Sequence, residues 1–256
     1  MRQGPRAPVL CLLPLLLAPA VRAADDTFKL SVGPAVEITP TYPGAGTLRT
    51  FVLPDVEMQY HGWLYISATD LIGVYAYNHD GTKAGAAIEW DFTERLARDS
   101  PRLTHLGDVS TTPRFKLFFE PRLARWLSAG IEAATDIGGH DEGTVVQAHL
   151  ELLLPLTAHG YVTIGPGVTW SDSRYMTAFY GVTAEQSELS GLAQFVAREG
   201  VSDVYLEAVA GYELSHRWAV GLDLTVAALQ GDAAHSPFTE QRRQSTLLAA
   251  VLYRLR

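Results

Sequence analysis

Between residues 201 and 229 the chain alternates in hydrophobicity. In VSDVYLEAVAGYEL (201–214), Val204, Leu206, Ala208, Ala210, Tyr212 and Leu214 fall on one face of an extended segment, and Asp203, Tyr205, Glu207, Val209, Gly211 and Glu213 on the other. RWAVGLDLTVAAL (217–229) repeats the pattern, with Trp218, Val220, Leu222, Leu224 and Val226 opposite Arg217, Gly221, Asp223 and Thr225. Segments 82–92, 125–136 and 144–154 behave in the same way. Successive side chains of a strand point to opposite faces, so strict alternation over ten or more residues predicts long strands.

Two architectures use such strands. Soluble sandwiches favour strands of about five or six residues. A membrane barrel needs about 9–11, apolar outside and polar inside, with aromatic residues near both interfaces. Trp63, Trp90, Trp126, Trp170 and Trp218 all fall near predicted strand ends. The pattern therefore predicts an all-β fold, a transmembrane antiparallel β-barrel of twelve strands, with ten as the alternative.

The links support that topology. Short ones are predicted at 78–81, 121–124, 155–157 and 215–216, and long ones at 39–49, 93–110, 137–143, 171–200 and 230–244. Regular alternation of short and long matches short periplasmic turns and long external loops. The stretch 62–78 is drawn as two short strands. In the longest loop, Thr183-Ala184-Glu185-Gln186 has capping-box spacing and predicts a short helix over 184–190.

On this register Glu57, Lys83, Glu89, Asp91, Arg114, Lys116, Glu132, Asp136, Glu151, Asp203, Glu207, Glu213, Asp223 and Arg254 face the lumen. One reading is that they solvate the interior and pair across strands. The other is a narrow cation-preferring pore, since rings of acids favour cations.

Composition narrows the setting. Residues 1–23 combine basic Arg2 and Arg6, an apolar stretch and the small-residue ending Val21-Arg22-Ala23, the layout of a secretory leader. Residues 24–256 then form one barrel domain. The only cysteine, Cys11, lies in the leader, so the mature chain has no thiol chemistry and no disulfide. Of 20 Lys and Arg residues, Arg2, Arg6 and Arg22 leave with the leader, so 17 oppose 28 acids, a net charge of −11. Such a chain repels phosphates, and no nucleic-acid partner is expected. No later segment offers 18 uninterrupted apolar residues for a membrane helix.

Two stretches invite a chemical reading. GDAAHSPFTE (231–240) sets His235 beside Ser236, the residue types of a hydrolase. A serine nucleophile needs its base within hydrogen-bond reach. Adjacent strand residues point apart, and Pro237 stiffens the position after Ser236, so a loop closure is the simpler account. His140-Asp141-Glu142 could ligate a cation, but the flanking Gly138, Gly139 and Gly143 favour a hairpin. No catalytic, cofactor or metal residues are assigned.

Several loop motifs occur in order. They are Tyr42-Pro43-Gly44 within VGPAVEITPTYPGAG (32–46) and Leu106-Gly107-Asp108-Val109. The longest loop follows with Tyr175, Tyr180-Gly181-Val182-Thr183, Gln186 and Ser190-Gly191-Leu192, and then Gly231-Asp232 with Ser236-Pro237. Together they resemble the MipA/OmpV family over nearly all of the mature chain. That resemblance implies a barrel in the outer membrane of a Gram-negative bacterium, surrounded by outer-membrane lipid. It also implies a scaffold that joins a periplasmic murein hydrolase to a murein polymerase, with porin-like behaviour in some members and no catalytic residues or cofactor. The docking surface would be the turns 78–81, 121–125, 155–158 and 214–217. One departure concerns the C-terminus, where Leu255 followed by Arg256 stands where such barrels usually carry an aromatic residue.

Overall fold

The computed structural model describes residues 28–255. The predicted leader over 1–23, with Cys11, and Arg256 lie outside the described residues. From the N-terminus the strands are β1 (Phe28–Pro40), β2 (Leu48–Tyr60), β3 (Leu64–Ile66), β4 (Asp70–His79), β5 (Thr82–Asp91) and β6 (Thr112–Glu120). After β7 (Arg122–Ala124) come β8 (Leu127–Asp136), β9 (Thr144–Pro155), β10 (Gly160–Ser171), β11 (Gly200–Glu213), β12 (Trp218–Leu229) and β13 (Arg243–Arg254). Apart from β6 and β7, consecutive strands pair antiparallel, and β1 pairs with β13. β6 bonds directly to β8, so the three-residue β7 stands off the wall as part of a turn. Twelve strands close the barrel.

Closure explains how alternation becomes a fold. Apart from one edge of β2 above Met58, the wall strands place their backbone donors and acceptors against a neighbour, as hydrocarbon surroundings require. The apolar face then turns outward: Phe115, Leu117, Phe119, Ile131, Leu150, Leu206, Leu222 and Leu224 are all exposed. Such a band would be a sticky patch in water and is stable against lipid. Trp63, Trp126 and Trp218 sit at the end with the short turns; Trp90 and Trp170 sit at the end with the long loops. The two sets form aromatic belts on either side of the apolar band.

The region 62–78 departs from its sequence reading. β3 is very short, but β4 has ordinary length, with register shifts at Asp70/Ile72 and Tyr75/Tyr77 that obscure its alternation. Longer differences lie at the loop end. The 172–199 connection contains α1 (Ser173–Tyr180) as well as the predicted helix, α2 (Ala184–Ser190). The Asp172 side chain caps α1 by accepting from the Tyr175 amide, and α2 carries the complete Thr183–Gln186 capping box.

Candidate functional site: a lidded, charge-lined chamber

Residues directly opposite one another in a ladder share a face. Asp55 opposes Gly33, Glu89 opposes Arg114, Arg114 opposes Asp136, and Asp223 opposes Leu248, which is buried. Following these pairs round the ring puts Glu57, Lys83, Glu89, Asp91, Arg114, Lys116, Glu132, Glu151, Asp203, Glu207 and Asp223 on the inner face. The remaining three positions lie at the mouths. Arg254 pairs with Glu213 at 2.6 Å at the turn end. Asp136 sits at the loop end and organises residues 137–143. Its carboxylate accepts from the Thr112 hydroxyl (2.7 Å) and from the amides of Gly138 (2.8 Å), His140 (3.0 Å) and Glu142 (3.1 Å).

The inner charges are not one uniform ring. Lys116 lies 2.5 Å from Asp70 and 3.2 Å from Glu89. Arg114, almost wholly enclosed, donates to Asp91 at 2.5 Å and to the carbonyls of Gly143 (3.0 Å) and Glu142 (3.3 Å). Arg49 joins the wall to the loop above through Glu94 at 2.6 Å. Sequence reading passed over Glu37 and Asp55, although both share the parity of Glu57 along the ladder. Both Glu37 carboxylate oxygens are buried without a hydrogen-bond partner.

Between these walls lies a chamber of about 300 Å³, bounded by Tyr65, Tyr75, Phe118, Lys116, Glu132 and Glu207 among others. Its roof is built from the long loops. Met176, Phe179 and Tyr180 of α1 pack with Ala197, Leu229 and Ala233. Beside them Tyr42, Leu103, Leu106, Val182 and Phe238 form a second cluster. Tyr175 and Tyr180 face down onto the chamber, and Arg114 lies over the Tyr175 ring at 5.4 Å.

The loop motifs behind the family resemblance meet in this roof. The Tyr42 hydroxyl donates to the Phe238 carbonyl (3.3 Å), Pro43 lines the chamber, and the Gly44 carbonyl accepts from the Glu240 amide (2.8 Å). Gly44 has φ 94°, a conformation glycine adopts without strain. Gly181 ends α1, and Val182 exchanges backbone hydrogen bonds with Phe195. The Gln186 amide donates to the Leu106 carbonyl, and the Ser190 hydroxyl to the Gln186 carbonyl (2.6 Å). Gly191 closes α2 in the left-handed region. After the turn at Gly231, Asp232 accepts from the Arg198 amide at 2.8 Å.

Ser236, just before Pro237, is buried and donates to the Tyr180 carbonyl at 2.7 Å, while His235 turns outward against the Gly231 carbonyl at 2.6 Å. The two side chains serve separate parts of the loop and do not meet. His140, Asp141 and Glu142 also diverge: Asp141 pairs with Arg174 at 3.0 Å, and Glu142 is buried near Arg114.

Burial within the lid moves its titrations. Enclosure and the nearby Asp91 push the Glu142 carboxyl up to about 8, outweighing the pull of Arg114, which is already committed to Asp91. Arg95, whose Nη2 donates to the Ala178 carbonyl at 3.0 Å, is lowered by burial to about 10. No pattern of period two marks Arg95, so its role as a roof tie could not be read in advance.

A family model described as MltA-interacting protein MipA matches residues 32–255. Proteins named MltA-interacting protein from Escherichia coli (strain K12) and Shigella flexneri are each 25% identical over 186 residues, covering 71% of this chain and 73% of theirs. Among solved structures, the NanC porin aligns over 89% of this chain and 100% of its own, at 8% identity and TM-score 0.43. The CymD monoaromatic hydrocarbon channel aligns over 88% of each chain, at 9% identity and TM-score 0.40. With its closed twelve-strand wall and its motif-built lid, this chain is an outer-membrane-type β-barrel and belongs to the MltA-interacting protein MipA family.

Proposed function

We propose that the protein is a non-enzymatic scaffold of the Gram-negative outer membrane that holds murein-processing enzymes beneath it. After leader removal the mature chain would form one barrel domain, with the long loops outside and the short turns in the periplasm. The observation that carries the reading is the lid: interlocked loops roof the lumen, which leaves the turn end as the free surface.

That end has a chemistry of its own. The chain is acidic overall, yet its turns present exposed Arg122, Arg125 and Arg217 with His61, His79, His159 and His216, and Asp80 is the acid among them. Charge of one sign on a rim steers association more than it sets affinity. The name of the relatives supports an MltA-type murein hydrolase as one partner. A murein polymerase follows from the resemblance alone.

The test is capture of a purified MltA-type hydrolase by the barrel in detergent, at low and raised salt. The scaffold reading expects salt-sensitive capture that Arg125→Glu with Arg217→Glu abolishes. Absence of capture by the native barrel overturns it. The pore reading draws on the surplus of inner acids, and steady cation conductance in a planar bilayer with the lid intact would favour it.

A further inference from the structure

The wall is not equally tall all the way round. β2 is bonded to β1 from Leu48 to Tyr60, but to β3 only at Met58–Tyr60. β3 in turn meets β4 only at Leu64–Val74 and Tyr65–Gly73. Above Met58, among the described residues, the second edge of β2 has no ladder partner. Backbone groups on that edge belong to Leu48, Thr50, Val52, Pro54 and Val56. Pro54 opposes Pro34 in a pair that cannot exchange amide bonds, so alternate residues of this parity address the other side.

An open strand edge is not tolerated against hydrocarbon; such backbone persists only where it lines a wetted cavity or a bound group. Pro54 fits an edge left open, because proline presents no orphan donor there and opposes strand addition by a neighbour. Residues on both sides of this interval line the chamber. Arg49 on the β2 side and Thr69, Asp70 and Thr93 on the β4–β5 side all line it.

Behind the gap lies an apolar patch in a lumen otherwise rich in charge. The rings of Tyr65 and Tyr75 stack at 4.5 Å, and Phe118 meets them edge-on at 6.3 and 5.9 Å, with Ala87 completing the cluster. A Cβ at Gly73 would collide with the Tyr65 ring, so glycine at that position lets the ring lie flat on β4. Beyond the patch, Glu132 and Glu207 take part in none of the ion pairs found among the described residues, and both face the chamber.

We propose that the interval between β2 and β4 above β3 is a lateral mouth that admits a single-chain amphiphile from the lipid. Its acyl chain would lie through the gap against Tyr65, Tyr75 and Phe118, and its ammonium-bearing headgroup would rest near Glu132 and Glu207. A chamber of about 300 Å³ is at the small end of ligand pockets and takes one chain rather than two. The lid closes the direct route from outside, so the side of the barrel is the way in. This assignment is independent of what docks on the turns.

The test uses the full barrel in phospholipid vesicles with a lysophosphatidylcholine that carries a diazirine near the end of its chain. After irradiation, adducts are located by peptide mass spectrometry. Adducts on the inward residues Tyr65, Tyr75 or Phe118 are expected. Val52→Arg, which puts a charge on the free edge, should lower them about tenfold while leaving adducts on the outward Leu117 and Phe119 unchanged. If Val52→Arg fails to show heat-modifiable migration, Thr50→Lys makes the same test. Labelling confined to outward residues overturns the proposal, as does inner labelling indifferent to the edge charge. Equal inner labelling by a two-chain phosphatidylcholine overturns the single-chain assignment.

Discussion

The two ends of the barrel are built on opposite principles. At the loop end, five connections interlock through buried side chains, and polar groups are spent on one another: Ser236 on Tyr180, Arg95 on Ala178, Gln186 on Leu106. At the turn end, the connections are short and their charged side chains face outward. The motifs that mark the family lie in the interlocked end. The loop motifs thus build a structural stopper, and on the scaffold reading proposed above the partner would meet the plain turns instead. A conspicuous motif and a binding surface need not coincide.

Breaking the lid should have the largest effect. Arg114→Met strands Asp91 and removes donors from two loop carbonyls, and losing one partner of a buried charge pair costs about 3–5 kcal/mol. A lower denaturant midpoint for the heat-modifiable form checks this, and an unchanged midpoint contradicts the account of the lid.

Ser236→Ala is smaller. It leaves the Tyr180 carbonyl without its donor, for about 1–3 kcal/mol, and the readout is faster proteolysis of the 172–199 loop.

Acidity offers a graded version. The folded carboxyl of Glu142 is raised from 4.5 to about 8, so its stabilising neutral form is fully present below pH 4.5 and is lost as pH rises through about 8. Lid protection against protease should therefore fall between mildly acidic and alkaline pH, and Glu142→Gln should flatten the profile.

The smallest stability effect belongs to the other end. Arg125→Glu with Arg217→Glu touches only exposed positions and should shift the unfolding midpoint by about 0.5 kcal/mol or less, while eliminating capture of a murein hydrolase. A large loss of stability would show that the turns are structural after all.

Much of the wall was legible because membrane strands write their two environments in period two. The inner positions of β5, β6, β8 and β11 follow directly from Glu89, Lys116, Glu132 and Glu207. β4 was harder, since its bulges shift the alternation midway. The lid was legible only in part. Thr183 and Gln186 announce α2, but α1 begins at an Asp172 cap and is held by Arg95 and Arg114 from distant segments, contacts with no local signature. The chamber itself depends on where three loops settle, which no pattern along one strand records.

β3 has a mechanical consequence. Elsewhere round the ring, neighbouring wall strands are stitched over most of their length, but here three rungs hold one side (Met58–Ile66, Gln59–Tyr65 and Tyr60–Leu64) and two hold the other. The hoop is only as strong as that staple. Under heat, pulling or thinning of the bilayer, the cylinder should part between β2 and β4 first, and amide exchange should be fastest at Leu64–Ile66 among its strands.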